Sequence, residues 1–440
     1  VLIIIHARLL TMDEQGVVED GFVTVEGDRI LDVGPMETFQ ADKIPGDSAC
    51  IIDVRGGWAV PGFIDAHSHL GLFDDSLDME GDDGNEATDP ITPQLRAIDG
   101  IFNSDACFRE AYEAGVSMVM AGPGSANVMG GQFALLHTFE RTVDRAVIIA
   151  PSAQKVAFGE NPKRVYGKES KTPSTRMGTA GLLRDTIFKA LEYQDKWAEY
   201  RRKKIEYDEA AARHDEDAPD SPDKPDFDFQ LESLLPVLTG SLPLKIHAHR
   251  QDDILTGVRI CNEFGLTYSL DHCTEGHLIA DVLAEEYRDG QADGRGTGNS
   301  KARGGRLLGV IIGPIIGDRS KPELSEQNLH NAGVLSRAGL PVAIMTDHPC
   351  VPEQYLPLSA ALAVKGGMPA ADALSAITIT AARILGVDDR YGSLTAGKTA
   401  DLSVFSGDPL DCQSLVRLFI GRGSVRYDPE NLYSDAAGRT

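Results

Sequence analysis

Two histidines separated by one residue close an apolar run, His67 and His69 in WAVPGFIDAHSHLGL. A strand repeats its side-chain direction every second residue, so both rings leave the same face of the chain. Neutral imidazole is the commonest metal ligand, and a pair placed this way offers half of a metal site. Further on, His247 and His249 end LPLKIHAH, His272 ends LTYSLDH, and Asp347 ends LPVAIMTD. One buried strand-end histidine is ordinarily just a satisfied polar residue. Five of the chain's 11 histidines at three strand ends, with a carboxylate at a fourth, point instead to one shared divalent-metal site. Mixed imidazole and carboxylate ligands suit zinc, with manganese, iron or cobalt as alternatives, and one or two ions.

The elements that must hold these residues are legible as an alternation. Strand candidates GFIDAH, VSMVMAG, AVIIAPS, LPLKIHAH, LTYSLDH, LLGVIIGP and LPVAIMTD are separated by helical stretches such as SDACFREAYEAG, ILTGVRICNEFG and SEQNLHNAGVLSRAG. Strand and helix in turn imply an α/β fold of parallel strands with crossover helices. Polar residues gathered at the C-terminal strand ends, over seven or eight units, favour a closed (β/α)8 barrel, a TIM-like barrel, over an open sheet. Both chain ends read differently. VLIIIHARLLTM, GFVTVEGDRILDVG and ACIIDVRGGWAVPG, and near the C-terminus GSLTAGKTADLSVFSG and VRLFIGRGSVRYD, are short alternating strands between turns. They predict a small β-sandwich domain from residues 1–60 plus 386–440, around a barrel over 61–385. Two segments interrupt the barrel pattern, a charged helix and acidic Pro-rich stretch near 190–230 and a Gly-rich stretch near 288–304. Both read as surface insertions.

Composition limits the function classes. A chain of 440 residues can bury a large core, and 42% hydrophobic with 25% charged residues is ordinary for a globular protein. A formal net charge of -25 repels phosphate, so no nucleic-acid partner is expected. No apolar run reaches the ~18 residues of a membrane span, and VLIII lacks the length and basic flank of a signal-peptide core. The six cysteines are scattered without a Cys-x-x-Cys pair, which fits reduced thiols and a cytoplasmic, cytosol-like location.

In PGFIDAHSHLG, KIHAHR, SLDHCTEGH and MTDHP, and in the closing GSLTAGKTADLSVFSGDPL, the chain resembles the amidohydrolase superfamily, in its imidazolonepropionase-like and metal-dependent dipeptidase-like branch. The resemblance covers essentially the whole chain apart from the two insertions. It implies that His67, His69, His247, His272 and Asp347 are metal ligands, with Asp347 also the general base. It further implies a bridging carboxylated lysine or a glutamate on the fourth strand, where PSAQKVAFGENPKRVYG offers both Lys155 and Glu160. The two are five apart, so on one regular strand they would face opposite sides, and Lys155 better fits the family position. His249 stands near the substrate or a second metal, and His272 or His249 would stabilise a developing oxyanion.

The implied activity is hydrolysis of a C–N bond, in an amide, cyclic amide or dipeptide, by activated water. A deaminase is the alternative, and a non-catalytic scaffold is disfavoured because the ligand residues are all present. The expected partner is a small polar substrate, and the expected assembly a homo-oligomer. Arg250, Arg164 and Tyr166, together with Lys163, are candidate binders of a substrate carboxylate, and His277, like His348, adjoins a ligand motif. GPGSANVMGGQ lacks the ending of a phosphate loop and reads as tight turns beside the site. His6, His137, His214 and His330 have no comparable context.

Overall fold

The computed structural model describes residues 1–40, 49–74, 78–213, 219–291 and 304–437. Its first five strands are β1 (Leu2–Leu10), β2 (Val17–Glu26), β3 (Arg29–Pro35), β4 (Cys50–Asp53) and β5 (Trp58–Pro61). The last three are β14 (Leu402–Phe405), β15 (Val416–Gly421) and β16 (Ser424–Tyr427). They form one eight-stranded sheet in the order β16-β15-β14-β5-β1-β2-β3, with β4 also on β1. The two ends of the chain meet where β14 pairs antiparallel with β5, Leu402 opposite Pro61 and Phe405 opposite Trp58. Ile4, Leu9, Val23 and Ile52 bury their side chains with Leu402, Val404, Leu418 and Ile420 in a core of their own. Burying each such side chain contributes about 1.5–3 kcal/mol, which ties the distant segments together.

Between the two ends, eight strands make a nearly closed barrel sheet: β6 (Phe63–Ser68), β7 (Val116–Ala121), β8 (Met129–His137), β9 (Val147–Ala157), β10 (Leu244–Ala248), β11 (Thr267–His272), β12 (Arg306–Ile312) and β13 (Val342–Ile344). They follow in sequence order around the sheet. The barrel-plus-terminal-sheet architecture read from the sequence is present.

One strand departs from the alternation. β8 runs antiparallel to both β7 and β9. The connection Gly122–Val128 is too short for a crossover helix, which needs about a dozen residues, so the chain must turn back as a hairpin. Its Gly-rich sequence hid the strand: Gly130 and Gly131 lie inside β8, not in a turn. The other seven strands share one direction, so their C-terminal ends open on one side.

Helices fill the connections that are long enough. Ala106–Glu113 starts at Asp105, whose side chain accepts from the Cys107 amide, and Gln251–Phe264 stops at Gly265 in the left-handed region. The charged segment expected near 190–230 belongs to one helix, Arg176–Ala212, while residues 219–228 carry no helix or strand. Most of the Gly-rich stretch near 288–304, together with His214 and residues 215–218, lies outside the described residues. No helix among the described residues is long and apolar enough to cross a membrane.

Candidate active site

His67 and His247 are the penultimate residues of β6 and β10, His272 ends β11, and His249 and Asp347 lie just past β10 and β13. The barrel brings these residues to one cup. The ligand-capable atoms of His67, His69 and Asp347 lie within 4.8 Å of one another, as do those of His247, His249 and His272. The rings of His67 and His272 are 5.5 Å apart, so the two groups adjoin. All six side chains are buried or nearly so.

The imidazoles are aimed by what holds their far nitrogens. His67 Nδ1 lies 2.6 Å from Asp271 Oδ2, His69 Nδ1 2.6 Å from the Gly122 carbonyl, and His272 Nδ1 2.9 Å from the Gly313 carbonyl. A carbonyl oxygen only accepts, so His69 and His272 carry their proton on Nδ1 and present a bare Nε2 lone pair to the cup. Asp271 imposes the same tautomer on His67. His249 Nδ1 meets the Thr274 hydroxyl at 2.8 Å, a partner that either donates or accepts, so its Nε2 is free to hold a proton.

Asp347 faces two of these rings, with Oδ1 3.3 Å from His69 Nε2 and 3.6 Å from His67 Nε2. Burial alone would raise its carboxyl; positive charge on His272, His69 and His67 would outweigh that and hold it well below the ordinary carboxylate range. Both Asp347 (φ 56) and His272 (φ 68) sit in the left-handed region, which costs a non-glycine residue about 1 kcal/mol or more. Two strained strand ends at one cup mark the place where side-chain aim outweighs backbone comfort.

Lys155 on β9 is fully buried, and its Nζ lies 3.3 Å from His67 Nε2. Its cross-strand neighbour on β10 is Lys245. The two ammonium groups flank the Phe133 ring at 5.4 Å each. Lys245 has its own counterion, Asp271 Oδ2 at 3.0 Å, and donates to the Ala66 carbonyl at 2.9 Å. Among the described residues Lys155 makes no ion pair of that kind. Burial, opposed by Asp271 and Asp347, pulls its amine down to about 8.

The donor set fits a divalent cation. His247 Nδ1 and His272 Nε2 are buried with no hydrogen-bond partner among the described residues. Leaving such nitrogens unsatisfied costs about 1–3 kcal/mol each, a penalty a bound ion would remove at whichever nitrogen it ligated. Zinc-type ions take neutral imidazole and carboxylate together, the chemistry present here.

Comparison with known proteins agrees with this geometry. The amidohydrolase family model matches residues 250–431. A crystal structure of an amidohydrolase from Thermotoga maritima is 34% identical, aligns over 97% of this chain and 100% of its own, and superposes with a TM-score of 0.83. The chain belongs to the amidohydrolase family. That family comprises hydrolases of carbon–nitrogen bonds that generally use a divalent metal. The imidazolonepropionase of Maricaulis maris is 25% identical over 91% of each chain. The amidohydrolase tasK of Hapsidospora irregularis is 29% identical over 91% of this chain, which spans only 40% of the tasK length.

Above the cup of this amidohydrolase opens a cavity of about 430 Å³, lined by His69, His247, His249, His272 and Asp347 among others. Several residues singled out from sequence lie away from it. Glu160 is not on a strand: β9 ends at Ala157, Gly159 turns the chain with φ 87, and Glu160 begins a short helix, Glu160–Gly167, half-buried. A Cβ at Gly159 would come within 2.7 Å of a Glu323 carboxylate oxygen, so this turn requires glycine. Arg250 is exposed and spends its fork on Asp252 at 3.0 and 3.1 Å. The Tyr166 hydroxyl donates to Asn127 Oδ1 at 2.6 Å, away from the cup. His277 is half-buried against the Thr274 carbonyl, beside Asn328 and His330. Arg164 is exposed on the same short helix as Glu160, with Nη2 3.5 Å from Asn161 Oδ1.

Four residues that bear on the site were missed. Asp271 sits inside the quoted SLDH motif but reads as an ordinary strand residue until its partners are known. Lys245, in KIHAHR, is invisible as a counterion for the same reason. Asn161, on the short helix Glu160–Gly167, and Lys321, on a loop after β12, line the cavity from connections whose course no local pattern fixes.

Proposed function

We propose that this amidohydrolase cleaves a C–N bond, in an amide, cyclic amide or dipeptide, of a small polar substrate, with Asp347 as general base. The observation that carries the reading is the shared aim of the imidazoles: Nδ1 of His67, His69 and His272 is held from behind by fixed acceptors, leaving each Nε2 toward the Asp347 carboxylate or the neighbouring imidazoles. In this reading His67, His69 and Asp347 hold one ion, and His247 and His272 hold a second with Lys155 between them. Zinc is the ion best suited to these ligands, with manganese, iron or cobalt compatible. When bound, such an ion supplies Lewis acidity toward water and toward the substrate carbonyl.

The chain's own groups do the rest. Asp347, kept ionised, accepts a proton from water and delivers it to the departing nitrogen. His272 offers only a lone pair at Nε2, so it acts as a ligand and not as an oxyanion donor. His249 keeps the freedom to present an Nε2–H, because Thr274 tolerates either tautomer, and it is the candidate to donate to the developing oxyanion. Lys155, with a depressed amine and no carboxylate partner, is suited to carboxylation by carbon dioxide, which would place a bridging anion between the two ion sites. Glu160, at a helix start beyond the strand, is the weaker candidate for that bridge.

The six cysteines form no disulfide among the described residues, which supports a reducing, cytoplasmic setting, and the charge of -25 disfavours a nucleic-acid partner. A homo-oligomer remains our expected assembly. The test is metal analysis of the purified protein, followed by a screen of dipeptides, N-acyl amino acids and cyclic amides. One to two equivalents of divalent metal and hydrolysis of at least one class are expected. Protein that takes up no metal and hydrolyses nothing would sink the reading.

A further inference from the structure

Two carboxyl groups that no step of the hydrolysis uses lie buried behind the ligand cluster. Asp65, on β6 two residues before His67, and Glu353, on the 3-10 turn Glu353–Tyr355, are both fully shielded from solvent. Asp65 Oδ1 accepts from the His67 amide at 2.9 Å. Its Oδ2 accepts from the Thr346 amide at 2.8 Å and from the Thr346 hydroxyl at 2.6 Å. Glu353 Oε2 lies 2.8 Å from Ser68 Oγ and 3.3 Å from Thr346 Oγ1, and its carboxyl also hydrogen-bonds that of Asp65. Ser68 stands between His67 and His69, and Thr346 precedes Asp347. The cluster therefore joins the two segments that bring those three groups to the cup.

Counting protons assigns the donor. Carboxylate oxygens only accept, so two carboxyl groups bonded to each other must share a proton. Asp65 receives two amides and a hydroxyl, which favour it as the anion. The Thr346 proton is spent on Asp65 at the shorter distance, so the 3.3 Å contact needs a proton from the Glu353 side. Glu353 Oε1 is buried without a hydrogen-bond partner among the described residues, and a charge there would go uncompensated. Burial, and then the Asp65 charge, push the Glu353 carboxyl well above its ordinary range.

The bridge has a task to perform. Asp347 is held at φ 56, a conformation that persists only where its surroundings over-determine it. Two backbone bonds already pin the same segments, from the His69 amide to the His348 carbonyl at 3.0 Å and from the Asp347 amide to the His67 carbonyl at 3.3 Å. Glu353 adds a second line of contact behind them, through side chains. We propose that Glu353 is a positioning residue: donating to Asp65 and Thr346 and accepting from Ser68, it holds residues 67–69 and 346–347 in the placement at which His67, His69 and Asp347 face one point. This rests on the hydrolase reading for what those three groups do; the bridge itself stands on the distances.

The test compares Glu353→Gln, Glu353→Met and Ser68→Ala with the parent enzyme. Zinc affinity is read by chelator competition, kcat and KM on whichever substrate the screen yields, and Tm by thermal unfolding. Glu353→Met should bind zinc about 10–100-fold more weakly, the usual loss when a group behind a ligand is removed, with kcat falling and KM little changed. Gln keeps the shape and a donor without adding charge, so Glu353→Gln should recover most of both. Ser68→Ala, which cuts only the link to residues 67–69, should lie between. The infrared difference between parent and Glu353→Gln should contain the C=O stretch of a protonated carboxyl. A lower Tm in Glu353→Met with parental zinc affinity would make the residue structural only and overturn the proposal. So would Glu353→Gln as impaired as Glu353→Met, or a carboxylate band in the difference spectrum. If Glu353→Met does not fold, Ser68→Ala decides, and parental zinc affinity there overturns the proposal. Zinc affinity lost in Glu353→Met and regained in Glu353→Gln, in an enzyme that hydrolyses nothing, would support the positioning role while defeating the hydrolase reading alone.

Discussion

Asp271 Oδ2 lies 2.6 Å from His67 Nδ1, and the same oxygen lies 3.0 Å from Lys245 Nζ. One fully buried carboxylate thus fixes a ring at the cup and neutralises a lysine beneath it. Burial alone would raise its carboxyl, but the charges of Lys245, His67 and Lys155 hold it well below the ordinary range.

Replacing Asp271 by Asn should therefore act twice. Replacing the charged acceptor of His67 Nδ1 by a neutral amide should weaken metal binding by about 10–100-fold, the usual effect of disabling a partner behind a ligand. Leaving Lys245 buried without its counterion should cost about 3–5 kcal/mol of stability. Chelator competition and denaturant unfolding read the two effects separately. Unchanged metal affinity would show that Asp271 does not aim His67.

Lys155 gives a pH dependence. Only the neutral amine reacts with carbon dioxide, and a folded-state value of about 8 leaves roughly one amine in ten neutral at pH 7, far more than for an ordinary lysine. The neutral fraction rises as pH increases through 8. Metal-free enzyme given metal and bicarbonate should regain activity faster at pH 8.5 than at pH 6.5, and slowly without bicarbonate. Lys155→Ala should lose the second ion's occupancy, while Glu160→Ala should keep it. Full occupancy in both variants would refute a bridge from either residue.

Gly122 offers a structural test that replaces no ligand residue. Its carbonyl accepts from His69 Nδ1, and a Cβ there would meet the Phe133 ring at 2.2 Å. The Phe133 ring lies 5.4 Å from both Lys155 Nζ and Lys245 Nζ, so displacing it in Gly122→Ala should disturb their surroundings. Overpacking of this kind costs about 1–3 kcal/mol, and activity should fall along with Tm. Wild-type Tm and activity would show that the hairpin yields freely at this point.

What the sequence revealed and concealed follows from range. His67, His69, His247, His272 and Asp347 were legible because each stands at the end of an apolar strand, a local pattern. Lys155 was separable from Glu160 only in part, since the break at Gly159 is a matter of backbone direction and not of residue type. The β8 strand was hidden because Gly130 and Gly131 mimic a turn, although both pack against β9 and its neighbours. Asp271, Lys245, Asn161 and Lys321 act through partners 26 to 204 positions away, and no short window along the chain contains those pairs. Arg250 illustrates the opposite error: it follows the right motif, yet Asp252, two residues on, is the nearer claimant for its fork.

Asp347 carries the sharpest functional prediction. Its Oδ1 is within 3.3 Å of His69 Nε2, so it is close enough to share a ligand shell as well as a proton. Asn at this position keeps the shape and one oxygen but cannot hold a proton under working conditions. If Asp347 is the base, Asp347→Asn should lower kcat by about 10²–10⁴-fold with KM little changed, because the loss falls on the transition state. Metal content should stay above half, since His67 and His69 remain. Loss of metal in step with activity would make Asp347 a ligand first and leave the base unassigned. Activity near that of the parent enzyme would remove it from the mechanism altogether, and His249, the other cup residue able to carry a proton on its inward nitrogen, would then be the group to test.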